Sequence, residues 1–428
     1  MTMKKIILLL NSLLILMLLV SLSSCKKVNT MIDNAVGNFT YKQVNDDEII
    51  IKKYTGKFTR IEIPEEIDGM TVVAVDAEAF SNVPGLKEIV IPKTVTTLCS
   101  NAFYECYALQ KVIIKSDNIS IGNYAFGECI SLETVESKGL IANINSYAFA
   151  GCEKLVSVTS DKGIVNIGKN AFSGCTSLAE ITLNDKLSEV YATSFDECEL
   201  KTSFYGNGLY IGTSKNPYAV LYSTINSANG LSIHPNTVII AQDAFSGKAI
   251  PSTIYFEAKA LNENSSAAFY NNNSQFTLII NEKTGIESLD FLHSYWFASK
   301  VNRLEFEDGI SEIFFARFNL QSYKHVSVLI LPDCMSFIDF TDFYGFSNLQ
   351  SIVIPKSVKT IDSNAFSSCT KLTKVFYGGS YDDYRRMNIG TGNTPLSNAT
   401  TYYYSENKPI YNDNHYWHYD SNHGVKIW

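Results

Sequence analysis

The chain has little of what chemistry usually needs. None of its nine cysteines stands in a Cys-x-x-Cys pair, so the closely spaced thiolates of a redox or zinc motif are missing. It contains no G-x-S-x-G, H-E-x-x-H, P-loop or G-x-G-x-x-G stretch. That removes the usual marks of an elbow serine, a helical zinc site and a phosphate-cradling loop. Carboxylates are scattered, and nothing in their spacing sets two of them around a cleft as glycoside hydrolysis requires. Positive charge is not in excess: 35 Lys and Arg face 43 Asp and Glu, a net charge of −8. An acidic chain has no electrostatic reason to hold nucleic acid or an anionic membrane surface. The expectation is a protein without catalytic activity, cofactor or metal.

Long apolar runs are also scarce. The one that stands out, Ile6 to Val20, follows Lys4-Lys5 and ends shortly before Cys25. It is too short for a spanning helix and has the basic start and small-residue end of a secretion signal. The word "LSSC" at 22–25 resembles a bacterial lipobox. That resemblance implies a signal peptide over 1–24, lipidation of Cys25 and membrane anchoring through acyl chains, with 25–38 as a tether. An uncleaved anchor, or a plain signal with an incidental cysteine, is the other reading of the same residues. The expected location is secreted, anchored to the bacterial membrane or cell surface as a lipoprotein.

What the chain does have is repetition. Phe80, Phe103, Phe126, Phe149, Phe172 and Phe195 are each 23 residues apart. Cys106, Cys129, Cys152, Cys175 and Cys198 keep the same step, as do Leu86, Leu109, Leu132, Leu155 and Leu178. An aliphatic residue stands five before each Phe, from Val75 to Val190, and Ala stands one before each except at Ser194. Several columns in phase mean a solenoid, in which each coil buries its apolar side only against its neighbours. In "LKEIVI" (86–91) the alternation of Ile89, Val90 and Ile91 is strand periodicity. Strands of successive coils are expected to pair in parallel. The Ala-Phe-x-x-Cys stretch then forms the other side, with Phe as core bulk and Cys in a small apolar slot. Phe245, Phe343, Phe366 and Cys369 continue these columns.

This pattern resembles the BspA-like leucine-rich repeat family of bacterial surface proteins. "LQSIVIPKSVKTIDSNAFSSC" (349–369) is the best single match, and the resemblance runs from about residue 40 to the end. It implies a leucine-rich-repeat solenoid, mainly β with little helix and with parallel strands stacked on one face. The phenylalanine markers give about 11 or 12 coils. Residues 39–79 are read as N-terminal cap and first coil, 80–198 as regular repeats, 199–340 as irregular coils with an excursion, 341–376 as regular repeats and 377–428 as C-terminal cap. The family's glycine after the conserved Ile is present at Gly122 and Gly168 but replaced at Cys99, Asn145, Tyr191 and Asp362. A left-handed turn there is therefore not required in every coil.

Candidate chemistry is thin. The ladder cysteines point the same way from stacked positions, which is poor geometry for a disulfide. They read as buried free thiols. His415, His418 and His423, with Asp413 and Asp420, are close in sequence, but they fall in an aromatic segment that reads as packing rather than a metal site. His234, His293 and His325 are isolated. Function is better sought on the exposed strand positions, since solenoids commonly bind partners there. The candidate ligand face comprises Lys87, Val90, Lys111, Ile113, Thr134, Glu136, Ser157, Thr159, Glu180 and Thr182. A second exposed column, two before each Phe, holds Tyr124 and Tyr147. The resemblance implies an adhesin-like binding protein for an extracellular protein or glycan, and the chain is expected to be a monomer. The alternatives are a structural envelope scaffold without a host ligand and an extracellular polysaccharide-binding component.

Overall fold

The apolar columns become the inner wall of stacked coils. The structure is a computed structural model that describes residues 34–36, 38–213, 215–225, 230–245, 249–270, 272–410, 415–420 and 424–428. The leader, Cys25, Asp413 and His423 lie outside these residues. The described chain divides into two compact units, one ending at Lys201 and the other starting at Thr202.

In the first unit each regular coil contributes two strands, not one. Arg60–Glu62, Glu88–Ile91, Lys111–Ile114, Thr134–Ser137, Ser157–Ser160 and Glu180–Ile181 form one parallel sheet. Met70–Val75, Thr97–Leu98, Asn118–Ile121, Leu140–Ile144 and Ile164–Ile167 form a second. The strands expected on one face are therefore joined by a second parallel set. The reason is the aliphatic column five before each Phe: it points inward from an extended segment, and extended segments in register pair with the next coil. Before the first coil, Phe39–Gln43 and Glu48–Tyr54 pair antiparallel and then join Met70–Val75 in parallel, so the open end of the second sheet carries extra strands.

The third side is the Ala-Phe turn. Phe80, Phe103, Phe126, Phe149 and Phe172 are fully buried. Their rings stack at centroid distances of 4.8, 5.0, 5.2 and 5.3 Å, and Phe195 follows at 5.7 Å. Each such ring contributes about 1.5–3 kcal/mol by burial, and each stacked pair adds about 0.5–1.5 kcal/mol. The backbone is laddered as well: Phe103 N donates to Ala125 O at 2.7 Å and Phe126 N to Ala148 O at 2.8 Å. The alanines are fully buried because any larger side chain would keep the coils from approaching this closely.

The cysteine column has a polar reason as well as a steric one. Sγ of Cys106, Cys129, Cys152, Cys175 and Cys198 donates to the carbonyl of Phe80, Phe103, Phe126, Phe149 and Phe172 in turn, at 3.0–3.2 Å. The thiol thus fills the slot and gives the Phe carbonyl of the previous coil a further donor, beside the backbone N–H that Phe103, Phe126, Phe149 and Phe172 O already accept from the Cys three residues on. All eight described cysteines are free. Burial pushes the thiols of Cys106, Cys198 and Cys369 up to about 12, and that of Cys152 well above its ordinary value. Cys198, grouped with the core by its column, is half-exposed because no further ladder thiol of this unit follows it.

Left-handed backbone is present in every regular coil, but not at the glycine after the Ile. It occurs two residues before Phe (Glu78, Asn101, Tyr124, Tyr147 and Asn170, φ 54 to 60°) and two after it (Asn82, Glu105, Glu128, Gly151 and Gly174, φ 54 to 76°). Gly122 answers a different need: a Cβ there would lie 2.7 Å from the backbone of Leu98 and Cys99 in the previous coil.

In the second unit Leu231–Ile233, Thr253–Phe256, Phe276–Ile280, Val301–Phe306, Val328–Ile330, Ser351–Ile354, Lys374–Tyr377, Thr400–Tyr404 and Tyr416–Tyr419 form one parallel sheet, closed by the antiparallel strand Val425–Ile427. Where the sequence columns decay, the strand survives and the turn side changes. Short helical segments at Glu263–Phe269, Leu289–Leu292, Tyr295–Ala298 and Glu312–Arg317 take the place of the Ala-Phe turn. Phe269 is fully buried and anchors a coil that the spacing alone does not reveal. Ser265 and Ser288 accept from Ile240 N and Leu261 N, both at 2.9 Å, and so replace missing backbone partners. At the end Trp417 is buried against Phe376 and donates to Tyr377 O at 2.9 Å. The aromatic ending therefore packs as a cap, and His418 stacks on Trp428 at 3.7 Å. Among the described residues no group of three or more metal-ligating side chains occurs.

Candidate functional site: the strand face of the first unit

The sheet that starts at Arg60–Glu62 turns alternate residues outward, and parallel pairing aligns them from coil to coil. One outward row is Arg60, Glu88, Lys111, Thr134, Ser157 and Glu180; the next is Glu62, Val90, Ile113, Glu136 and Thr159. Lys87 precedes the first row by one residue and is exposed, as is Glu180, while Lys111, Ile113, Thr134, Glu136, Ser157, Thr159 and Thr182 are half-buried. The structure thus brings the sequence-derived candidates onto one continuous surface.

Val90 is the exception and a correction: it is 3% exposed and offers no ligand contact. Lys115 forms an ion pair with Glu62, two strands away, and Val90 is the register position between Glu62 and Ile113.

Charge is unevenly spread along the face. At its start Arg60 pairs with Glu88 at 3.3 Å, and Lys111 with Glu136 at 2.6 Å. These are solvent-screened pairs, each worth about 0–1 kcal/mol. Here a shallow groove of about 430 Å³ runs across the coils, lined by Thr59, Arg60, Lys87, Glu88, Gln110 and Lys111 and ending at Glu133 and Thr134. Farther along, Ser157, Thr159 and Thr182 make the surface hydroxyl-rich, beside exposed Val156. Such a face offers many weak polar contacts over a long strip.

Thr59, Arg60 and Glu62 were not among the sequence candidates. Their signal was present: "IEIP" at 61–64 repeats "IVIP" at 89–92, which makes Arg60–Glu62 the first strand of the face. Tyr124 and Tyr147 lie elsewhere, on the Ala-Phe side, with rings stacked at 4.8 Å and 2°.

A family model agrees with this architecture. The family model described as the BspA type leucine rich repeat region matches six copies over residues 52–159, 97–215 and 318–386, together more than half of the chain. Similar solved structures include a leucine rich cell surface protein from Faecalibacterium prausnitzii, 23% identical, covering 84% of this chain and 98% of that one at a TM-score of 0.36. A leucine rich repeat protein of T. pallidum is 21% identical and covers 53% of this chain and 86% of that one, at a TM-score of 0.29. One from Bacteroides ovatus is 17% identical and covers 83% and 97%, at a TM-score of 0.28. No curated protein matches the chain.

Proposed function

This chain belongs to the family of BspA-type leucine-rich repeat proteins, and on that premise we propose that it is a non-catalytic surface binding protein. It holds an extracellular protein or glycan non-covalently on the strand face of its first unit, and an acylated Cys25 keeps it at the membrane. The observation that supports this reading most is the in-register, outward-facing strip from Arg60 to Glu180, grooved at one end and hydroxyl-rich at the other. Its length suits a ligand that is itself extended, since each coil adds a small increment and affinity accumulates along the row.

The test is a binding screen of the full chain against matrix proteins, mucins and glycans, with each hit repeated on a variant carrying Glu136→Lys, Thr159→Lys and Glu180→Lys. These positions are half-buried or exposed on the outer face, so the fold should persist. A saturable hit lost in the variant supports the strand face as the site. A hit retained unchanged refutes that placement. A reproducible hydrolase activity abolished by a point substitution refutes the non-catalytic reading.

A further inference from the structure

The second unit leaves one strand edge bare. A further set of strands begins there at Phe337–Ile338, which pairs in parallel with Thr360–Ile361, and that strand with Asn388–Ile389. In other coils two backbone groups of this segment reach the coil before. Thr96 N donates to Val73 O at 3.0 Å and Cys99 N to Val75 O at 2.9 Å; Lys359 N donates to Ser336 O and Asp362 N to Ile338 O, both at 2.9 Å. "LPDCMSFIDF" (331–340) aligns with "IPKTVTTLCS" (91–100) and "IPKSVKTIDS" (354–363), so Ser336 N and Asp339 N are the matching donors. The coil before them carries the helix Glu312–Arg317 where that strand would run. Asp342 Oδ2 accepts from Asp339 N instead, at 2.7 Å. Ser336 N has no acceptor among the described residues. Phe337 turns its backbone to the same open side, because residues alternate along a parallel strand and Ile338 O accepts from Asp362 N on the other.

The edge opens into a groove of about 440 Å³, lined on one side by Phe315, Ala316 and Asn319 and on the other by Ser336 and Phe337. Two side chains here break the repeat. Phe337 stands where other coils have Thr97 and Thr360, and Phe340 where they have Ser100 and Ser363. Phe337 is 43% exposed and Phe340 57%, and neither ring packs on another ring among the described residues. The solenoid does not ask for these rings, since threonine and serine serve its other coils. Asp339 and Asp342 also line the groove and join no ion pair among the described residues. An unpaired N–H and a carbonyl on a strand edge, flanked by apolar rings, match another extended backbone. Its own groups complete the ladder while its alternate side chains cover the rings.

We propose that the edge Ser336–Asp339 takes an extended segment of a partner protein, added as a strand, with apolar side chains at alternate positions and a basic residue toward Asp339 and Asp342. The site belongs to the second unit and uses none of the strand face of the first, so it stands or falls independently of the ligand proposed there.

The full chain is titrated by fluorescence polarisation with hexapeptides that alternate valine or phenylalanine with threonine and end in lysine. The same peptides are tested N-methylated at every second residue, in either phase. The expected result is saturable binding that methylation abolishes in one phase and spares in the other, since a strand pairs through one edge at a time. Phe337→Thr, which copies Thr97 and Thr360, lowers affinity about 5- to 30-fold. Ser336→Pro deletes the edge N–H and abolishes binding. Circular dichroism melts check that both variants are folded, and Phe340→Ser, which copies Ser100 and Ser363, replaces either that is not. No saturable binding, equal binding of the peptides methylated in both phases, or unchanged affinity in the folded variants each overturns the proposal. So does self-association of the chain that Ser336→Pro prevents, which would assign the edge to a second copy.

Discussion

At the scale of single residues, position in the coil decides what a side chain can do. The ladder thiols are shielded by stacking and committed to Phe carbonyls, so they should be inert in the native protein. Iodoacetamide should label Cys334, which is half-exposed, while Cys106, Cys129, Cys152, Cys175, Cys198 and Cys369 react only after unfolding. Mass spectrometry of the alkylated peptides reads this, and uniform native labelling would contradict it. The same burial has a pH consequence. A folded-state pKa raised from about 9 to about 12 for Cys106, Cys198 and Cys369 means that the unfolded chain loses these protons first. Their stabilising effect is complete below about pH 9 and declines as pH rises toward 12. Thermal melts between pH 8 and 11 should show Tm falling, and less so in Cys106→Ala,Cys369→Ala, although that variant should start lower. The left-handed columns carry the other residue-scale expectation. Gly151→Ala should cost about 1–2 kcal/mol, since it adds a Cβ to φ 74° and meets the Glu128 carboxylate. Urea unfolding measures it. Neither left-handed column was readable beforehand, because Glu, Tyr, Asn and Gly alternate there without a common side-chain property. Only the shared backbone conformation unites them.

At the scale of the element, each coil hands its hydrogen bonds to the next, so the last coil needs a substitute. Asn393 provides it. The side chain is 4% exposed, its Oδ1 accepts from Phe366 N at 2.8 Å, and its Nδ2 donates to Asp362 O and Gly390 O. One amide thus imitates the Ala carbonyl of a coil that is not there. Asn393→Ala should leave the buried Phe366 N unmatched and take one donor from each of the half-buried Asp362 O and Gly390 O, at a cost of about 1–3 kcal/mol as read by denaturant unfolding; a change below about 0.5 kcal/mol would show that the cap is dispensable. The helix Tyr381–Arg385 begins with a capping box in which Ser380 and Asp383 bond reciprocally. Hydrogen bonds from Ser380, and then Lys356, hold the Asp383 carboxyl down at about 2 against an ordinary 3.8. A depressed folded-state pKa stabilises above about pH 4 and loses that effect as pH falls toward 2. Ser380→Ala should therefore flatten the acid limb of the stability profile. The missed coil at Phe269 belongs to this scale too. Its Ala268-Phe269 pair is intact, but Asn264 and Asn272 stand where the aliphatic and cysteine columns should be. Ser265, within a short helical segment, makes the bond to Ile240 N that backbone makes in regular coils.

At the scale of the whole molecule, no helix among the described residues is long and apolar enough to cross a membrane. Attachment through Cys25 gives a direct prediction. The acylated full chain should enter the detergent phase on Triton X-114 partitioning, and Cys25→Ser should move it to the aqueous phase or leave the leader uncleaved. Aqueous partitioning of the unaltered protein would remove the anchor from the proposal. The net charge of −8 acts at this scale as well, because it disfavours polyanionic partners generally.

The sequence by itself determined the period, the inward columns and the parallel strands, because burial in a solenoid repeats with the coil and must be written once per turn. It also placed most of the strand face, since outward positions alternate with inward ones along each strand. Only the tertiary structure decided the second sheet, the burial of Val90, the thiol-to-carbonyl bonds and the right-angled tyrosine corner. Each of these depends on how one coil lies against the next. Lys115 reaches Glu62 two strands away, and Tyr104 meets Tyr124 across neighbouring coils over a glycine. Such distances are set by the stacking of backbones, which no single coil encodes.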